Sequence, residues 1–195
     1  MADTPRKGHA YYELDMIVTE YGKNGRCTGL YWCDGTAEVT QLTVETVLKR
    51  IAEAYGKTPQ SLRRHWRMAH GRTGEKQFGK MAILAVSPGV TLMPVKLAGS
   101  MVGRDAPVGY VNLAQPIRFL EEKGGNGARS RILFPENEHA MATVWTCGTL
   151  RRHCSAARQF WLEELHRHEE ERALVERANL HVNYVNFCAK YTGDR

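Results

Sequence analysis

The chain has 195 residues, of which 43% are hydrophobic and 25% are charged. This composition excludes a collagen-like chain and a wholly disordered one. Lysine and arginine number 27 against 21 aspartate and glutamate residues, which gives a net charge of +6. The segment from Lys57 to Lys80 holds seven basic residues and one acidic residue, so the rest of the chain is electrically balanced. A cationic segment on a neutral body favours one localised contact with a polyanion.

The sequence predicts a soluble, cytoplasmic protein with no membrane contact and no bound metal or cofactor. Its N-terminus lacks an apolar core of signal-peptide length, and the longest apolar run, Met81 to Val86, is far too short to span a bilayer. The five cysteines form an odd set without a CxxC pair, which favours neither a disulfide framework nor a common zinc site.

Residues 11–40 are predicted to form short β-strands. Tyr11 to Thr19 mixes aromatic, β-branched and polar residues, and residues 22–25 then supply turn chemistry. A second candidate strand, Thr28 to Cys33, leads to the turn signal Asp34-Gly35.

Two short helices are predicted next. The apolar residues of the first follow i, i+3, i+4, i+7 and i+11 spacing: Val44, Val47, Leu48, Ile51 and Tyr55. Thr43 is placed to cap this helix and Gly56 to end it in a left-handed conformation. Thr58 is placed to cap a second helix with Pro59 at its first position, and Gly71 is placed to end it.

The remaining chain is predicted to be β-rich and then helical. Short apolar runs are separated by glycine and proline: Met81 to Val86, Val90 to Leu97, Val108 to Val111, Arg131 to Phe134 and Met141 to Cys147. Residues 149–192 contain neither glycine nor proline, a stretch about 65 Å long if it forms one straight helix.

The order of elements predicts an α+β fold in which a two-helix unit is inserted between short antiparallel strands and a long C-terminal helix follows. Four regions result: residues 1–42 with the N-terminal strands, 43–80 with the two helices and a basic loop, 81–148 rich in strands, and 149–192 as the long helix.

The two short helices carry the most specific pattern. A helix-turn-helix unit needs a small residue where its helices cross, a glycine at the turn and an apolar residue on the inner face of the second helix. Ala52, Gly56 and Leu62 meet these needs in the phrase IAEAYGKTPQSLRRHWR. The segment resembles the helix-turn-helix family from about residue 44 to residue 70. His65 departs from the family's usual aliphatic residue, and neighbouring Trp66 is expected to take over its packing role.

This resemblance implies that the second helix enters the major groove of DNA with its N-terminal residues at base edges. The candidate nucleic-acid-binding residues are Thr58, Gln60, Ser61, Arg63, Arg64, Arg67, Arg72, Lys76 and Lys80. Gln60 suits adenine, and Arg63 or Arg64 suits guanine or phosphate. Arg72, Lys76 and Lys80 lie in GRTGEKQFGK, which is expected to be a loop that contacts the phosphate backbone. The alternative is an ordinary helical hairpin with a solvated basic face or an acidic protein partner.

A second resemblance covers residues 71–161. Gly71-Arg72, Pro88, Pro94 and Tyr110-Val111-Asn112 occur in an order similar to that of ComK-type competence transcription factors, with ILFPENE and a long helix following. The resemblance implies a DNA-binding regulator, as the first one does.

The sequence lacks three common catalytic motifs: it contains no GxSxG, no phosphate-binding Walker loop and no HExxH. We therefore expect a non-enzymatic transcription regulator that binds DNA, with RNA as a second possible ligand, and that forms a homodimer through its C-terminal helix. One alternative is an inhibitor encoded by a mobile element that binds a CRISPR nuclease and its nucleic acid, and another is a nuclease or other enzyme.

Overall fold

The structure is a computed structural model that describes residues 9–22, 25–78, 81–99, 107–122 and 127–192, leaving out the side chains of residues 72–77 and 180–192. Its described elements form a six-stranded antiparallel sheet, a three-stranded antiparallel sheet and helices that include a long C-terminal one. The predicted α+β class is confirmed.

The larger sheet is built from two distant parts of the chain. Its strands are β1 (Leu14–Gly22), β2 (Gly25–Trp32), β3 (Ala37–Thr40), β4 (Leu84–Ser87), β5 (Val90–Lys96) and β6 (Val108–Asn112), in the order β3-β2-β1-β6-β5-β4. Antiparallel pairing of β1 with β6 joins the two parts. The smaller sheet consists of β7 (Arg118–Glu121), β8 (Ser130–Leu133) and β9 (Ala140–Thr143) in chain order.

The helices are α1 (Val44–Ala54), α2 (Pro59–Phe78) and α3 (Cys147–Thr192). The Thr43 hydroxyl caps α1 by accepting a hydrogen bond from the amide of Thr46 at 3.2 Å. At the other end Gly56 has φ +67°, and the amides of Gly56 and Lys57 donate to the carbonyls of Glu53 and Ala52. This is a Schellman motif, in which a left-handed glycine ends the helix.

Gly71 interrupts α2 with φ 47° and ψ −136° but does not end it. The backbone resumes a helical course and continues to Phe78. The prediction of a loop over GRTGEKQFGK is therefore wrong for residues 72–78. Phe78 is buried against Trp66, with ring centroids 5.7 Å apart. The buried ring thus fixes the end of the helix against the core, and this contact is invisible in the local sequence.

One apolar core joins the helices to the larger sheet. It takes Val47, Leu48 and Ile51 from α1, Leu62 and Trp66 from α2, and Leu150, Ala157 and Phe160 from α3, packed on strand residues such as Ile17, Leu92 and Val111. Trp66 is 2% exposed and meets Phe160 edge to face at a centroid separation of 4.9 Å. Trp66 therefore has the packing role expected from the sequence.

The smaller sheet is fastened to the larger one by polar contacts. The Thr143 hydroxyl donates to the carbonyl of Lys96 at 2.7 Å. Asn137 donates through its side chain to the buried Asp15 carboxylate, and the His139 ring lies 3.3 Å from the same carboxylate. Burial raises the pKa of Asp15, and the hydrogen bonds from Asn137 and His139 partly oppose that shift.

The long helix α3 changes character along its length. Its first third is packed through Leu150, Cys154, Ala157 and Phe160, whereas residues 169–179 are exposed all round. Leu174 and Val175 are 63% and 59% exposed. None of the described helices has the length and apolarity needed to cross a membrane.

Candidate nucleic-acid interface

The first part of α2 has one buried face and one exposed face. Leu62 and Trp66, four residues apart, are buried in the core. Gln60, Arg64 and Arg67 are exposed and follow i, i+4, i+7 spacing, which places them on one side of the helix. We call these three residues the outer stripe. Burial of the inner face therefore fixes which side chains α2 presents to solvent.

The outer stripe is chemically accessible. Arg64 is exposed and makes no ion pair with any side chain that the structure describes. Among the described residues, the Arg67 side chain donates one hydrogen bond, from Nε to the carbonyl of Arg63 at 3.3 Å. Met68, 75% exposed, lies next to the stripe. Both guanidinium groups can therefore bind an external anion without breaking a described salt bridge.

Thr58 and Ser61 hold the first turn of α2. The Thr58 hydroxyl accepts from the amide of Ser61, and the Ser61 hydroxyl accepts from the amide of Thr58, each at 3.1 Å. The Ser61 hydroxyl also donates to the carbonyl of Thr58 at 2.8 Å. This reciprocal pair is a capping box with serine in the third position. Both predicted contact residues are thus exposed but already hydrogen-bonded to each other.

Arg63 is half-buried and faces α1 and the sheet rather than the outer stripe. Its guanidinium lies 3.6 Å from a carboxylate oxygen of Glu45 and in hydrogen-bond contact with the Tyr110 hydroxyl. Of the remaining predicted residues, the side chains of Arg72 and Lys76, and the whole of Lys80, lie outside the described residues.

His65 departs from the helix-turn-helix pattern because it joins α2 to α3. Its Nε2 lies 2.7 Å from an oxygen of Glu164, which is 8% exposed, and 3.1 Å from a guanidinium nitrogen of Arg167. Arg167 also pairs directly with Glu164. Sequence reasoning missed this cluster, because His65 and Glu164 are 99 residues apart. The signal in the sequence is limited to a basic side chain on one helix and an acidic side chain on another.

Lys57 begins the basic segment of the sequence, yet its side chain stabilises the turn between α1 and α2. Its Nζ donates to the carbonyl of Val86 at 2.8 Å. Burial lowers the pKa of Lys57, and the nearby Glu164 carboxylate partly opposes that shift. This cation is therefore directed at the protein rather than at solvent.

Acidic groups border the outer stripe on the α1 side. Glu45 and Glu53 of α1 line an open cavity of about 410 Å³ that also touches Pro59 and Gln60. Lys49 lies 3.6 Å from Glu53 and offsets part of that charge. Glu45 and Glu53 would therefore oppose a polyanion that approached the outer stripe from the α1 side.

The described residues contain no cluster of three or more histidine, cysteine, aspartate or glutamate side chains that could hold a metal ion. Comparison of the chain with protein-family models, with characterised proteins and with solved structures finds no match.

Proposed function

We propose that the protein is a non-enzymatic regulator that binds duplex DNA through α2. The observation that supports this most directly is the outer stripe: Gln60, Arg64 and Arg67 are exposed on one side of a helix whose other side is buried through Leu62 and Trp66. A helix held in this way can enter the major groove as a rigid element.

The chemistry of the stripe suits a nucleic acid. Arginine offers a planar set of donors that matches phosphate oxygens or the O6 and N7 acceptors of guanine, and glutamine matches the N6 and N7 edge of adenine. Between Pro59 and Gly71 the chain has three arginines and no acidic residue. Gln60 is the candidate for base contact, and Arg64 and Arg67 are candidates for guanine or phosphate contact.

Dimer formation through α3 completes the proposal. Leu174 and Val175 are exposed on the part of the helix that lies outside the core. A pair of α3 helices that buries these side chains would present two α2 helices to neighbouring half-sites. Sedimentation of the wild type and of a Leu174→Ser/Val175→Ser variant tests this part: the variant is expected to be monomeric where the wild type is dimeric.

The central test is a salt-dependent binding titration of wild type and an Arg64→Ala/Arg67→Ala variant. The ligands are random duplex DNA, an RNA hairpin and the duplex upstream of the protein's own gene. Loss of two arginine contacts is expected to weaken DNA binding about tenfold to a hundredfold and to reduce the salt slope by about two. Thermal stability should stay within about 0.5 kcal/mol of wild type, because both side chains are exposed.

The matched control removes the same charge elsewhere. Arg118 and Arg129 are exposed arginines beside or in the smaller sheet, and their double alanine variant is expected to bind DNA like wild type. Equal loss in both variants would reveal a general charge effect and contradict a role for α2. Recovery of a nuclease complex from cells, together with no DNA binding, would favour the inhibitor alternative instead.

A further inference from the structure

A second feature involves Arg63, which the outer stripe does not use. An open cavity of about 590 Å³ lies where the ends of β1 and β2 meet the start of α1 and the first turns of α2. Its ionisable lining includes Arg26, Glu45 and Arg63, and its hydroxyl groups include that of Tyr110. Among the residues that the structure describes, two cations and one carboxylate give the lining an excess of one positive charge.

The cavity also has an apolar side. Leu48 and Ala82 are buried there, and Val108 and Pro107 continue the surface. Ligand sites of a few hundred cubic ångströms commonly combine such an apolar wall with a few convergent polar groups. The wall suits a flat ring or a short hydrocarbon body, and the arginines suit its acidic group.

Arg63 is available to a ligand at small cost. Its contact with Glu45 is 3.6 Å long, and the Glu45 side chain is 83% exposed. Ion pairs of this exposed kind contribute little to stability. An incoming carboxylate or phosphate can therefore replace Glu45 as the partner of the guanidinium.

Tyr110 and Arg26 complete the polar part of the cavity. Tyr110 is 7% exposed, so its ring is fixed and its hydroxyl is held beside Arg63. Arg26 is exposed, and no described side chain forms an ion pair with it. One guanidinium thus lies beside a buried tyrosine, and the other is exposed to solvent, where it can contact an anion.

We propose that this cavity binds a small organic anion, a carboxylate or phosphate ester carried on an apolar body, with Arg63 and Arg26 contacting the acidic group and Leu48 and Val108 contacting the body. This site is separate from the outer stripe and does not require DNA binding. A regulatory consequence does rest on the proposed function: an anion bound beside α2 lowers the positive potential of that helix and should weaken DNA binding.

The test uses amide NMR of the full chain with three probe anions: benzoate, indole-3-acetate and phenyl phosphate. Benzamide and indole-3-acetamide serve as neutral counterparts. At least one anion is expected to shift amide signals of residues 44–48 and 108–110, while the neutral amides leave them unchanged. The Arg26→Gln and Arg63→Gln variants should each weaken that binding about tenfold, since each loses a charge-assisted contact.

Arg129→Gln is the matched control and should bind the probe like wild type. Because Arg63→Gln also changes a half-buried group, circular dichroism must show that it folds; exposed Arg26 keeps the test valid if it does not. Absence of shifts with all three anions up to about 10 mM, a range that reaches very weak affinities, would overturn the site. So would equal binding of the neutral amides, or wild-type binding by Arg26→Gln.

DNA titrations with and without the bound probe form a separate arm. A chain that binds the anion but no DNA would retain the site and refute the proposed function. A chain that binds DNA but none of the anions would give the opposite result.

Discussion

Two exposed helical segments of this molecule differ sharply in charge although one aromatic cluster fixes both helices. Residues 59–71 of α2 carry three arginines and no acid, whereas residues 162–179 of α3 carry six glutamates and three arginines. Trp66 of α2 and Phe160 of α3 pack edge to face in the core between them. Core packing positions both helices, and their charge makes α2 the one whose exposed side chains suit a polyanion.

The two segments are also close in space. Glu164 of α3 pairs with His65 of α2, and Lys57, in the turn before α2, interacts electrostatically with the carboxylates of Glu164 and Glu171. The acidic segment thus begins where the basic one is anchored. If α2 binds DNA as proposed, the negative charge of α3 would favour an approach of the DNA from the side away from α3.

The largest expected effect comes from breaking the shared anchor. Trp66→Ala removes a side chain that is 2% exposed and contacts Phe78 and Phe160. The free energy of unfolding should fall by about 3–5 kcal/mol, because the substitution loses apolar burial and leaves a cavity. Urea denaturation followed by circular dichroism measures the change.

The exposed residue Leu162 of α3 gives the matched comparison. Leu162→Ala should change stability by less than about 0.5 kcal/mol, since its side chain is 56% exposed. A Trp66→Ala protein as stable as this control would show that the aromatic cluster does not anchor α2.

The next largest effect concerns the polar link between the helices. Glu164→Ala leaves His65 without its carboxylate partner and removes the inter-helix bond of 2.7 Å. The expected cost is about 1–2 kcal/mol, near the net contribution of a hydrogen bond to a charged group, because His65 is 37% exposed and water can replace the lost partner. Glu163→Ala, at an exposed neighbouring position, is the control and should be nearly neutral. Equal stability of the two variants would contradict a linking role for His65.

Sequence reasoning succeeded where structure is set by near neighbours. The caps at Thr43 and Thr58 and the left-handed Gly56 depend on contacts within a few residues, so their positions could be predicted. β7 was missed because its residues are mostly exposed and show no clear alternation. The helical course of residues 72–78 was also missed, because it ends at Phe78, whose ring packs against Trp66 of the same helix and against His153 of α3.

The candidate site also has features that the sequence predicts and features that it does not. Exposure of Arg64 and Arg67 follows from their helical spacing relative to Leu62 and Trp66. The direction of Arg63 does not, since it depends on Tyr110, which lies 47 positions further along the chain. The cavity beside Arg63 likewise depends on strands β1, β2 and β6 meeting α1, an arrangement that local patterns do not encode.

A smaller effect on DNA affinity is expected from removing negative charge from α3, which tests the charge difference between α2 and α3. Replacing the three exposed glutamates 169–171 with glutamine removes three negative charges from α3. DNA affinity should rise by roughly twofold to fivefold at low ionic strength and lose this gain in salt, because distant charges are screened. The matched control replaces Glu121, Glu136 and Glu138, which are exposed in or near the smaller sheet. A similar gain in both variants would show that net charge, rather than the position of α3, governs binding.

The smallest expected effect concerns Lys57 and tests whether this residue belongs to the basic surface of α2. Burial holds the pKa of Lys57 below 10.5, so the folded state binds a proton less tightly than the unfolded state does. The unfolding free energy of the wild type, measured relative to Lys57→Met, should therefore rise with pH between the lowered pKa and 10.5. DNA affinity of Lys57→Met should fall less than that of Arg64→Ala, because the Lys57 ammonium donates to Val86. An equal loss of affinity would place Lys57 on the binding surface and contradict the orientation described above.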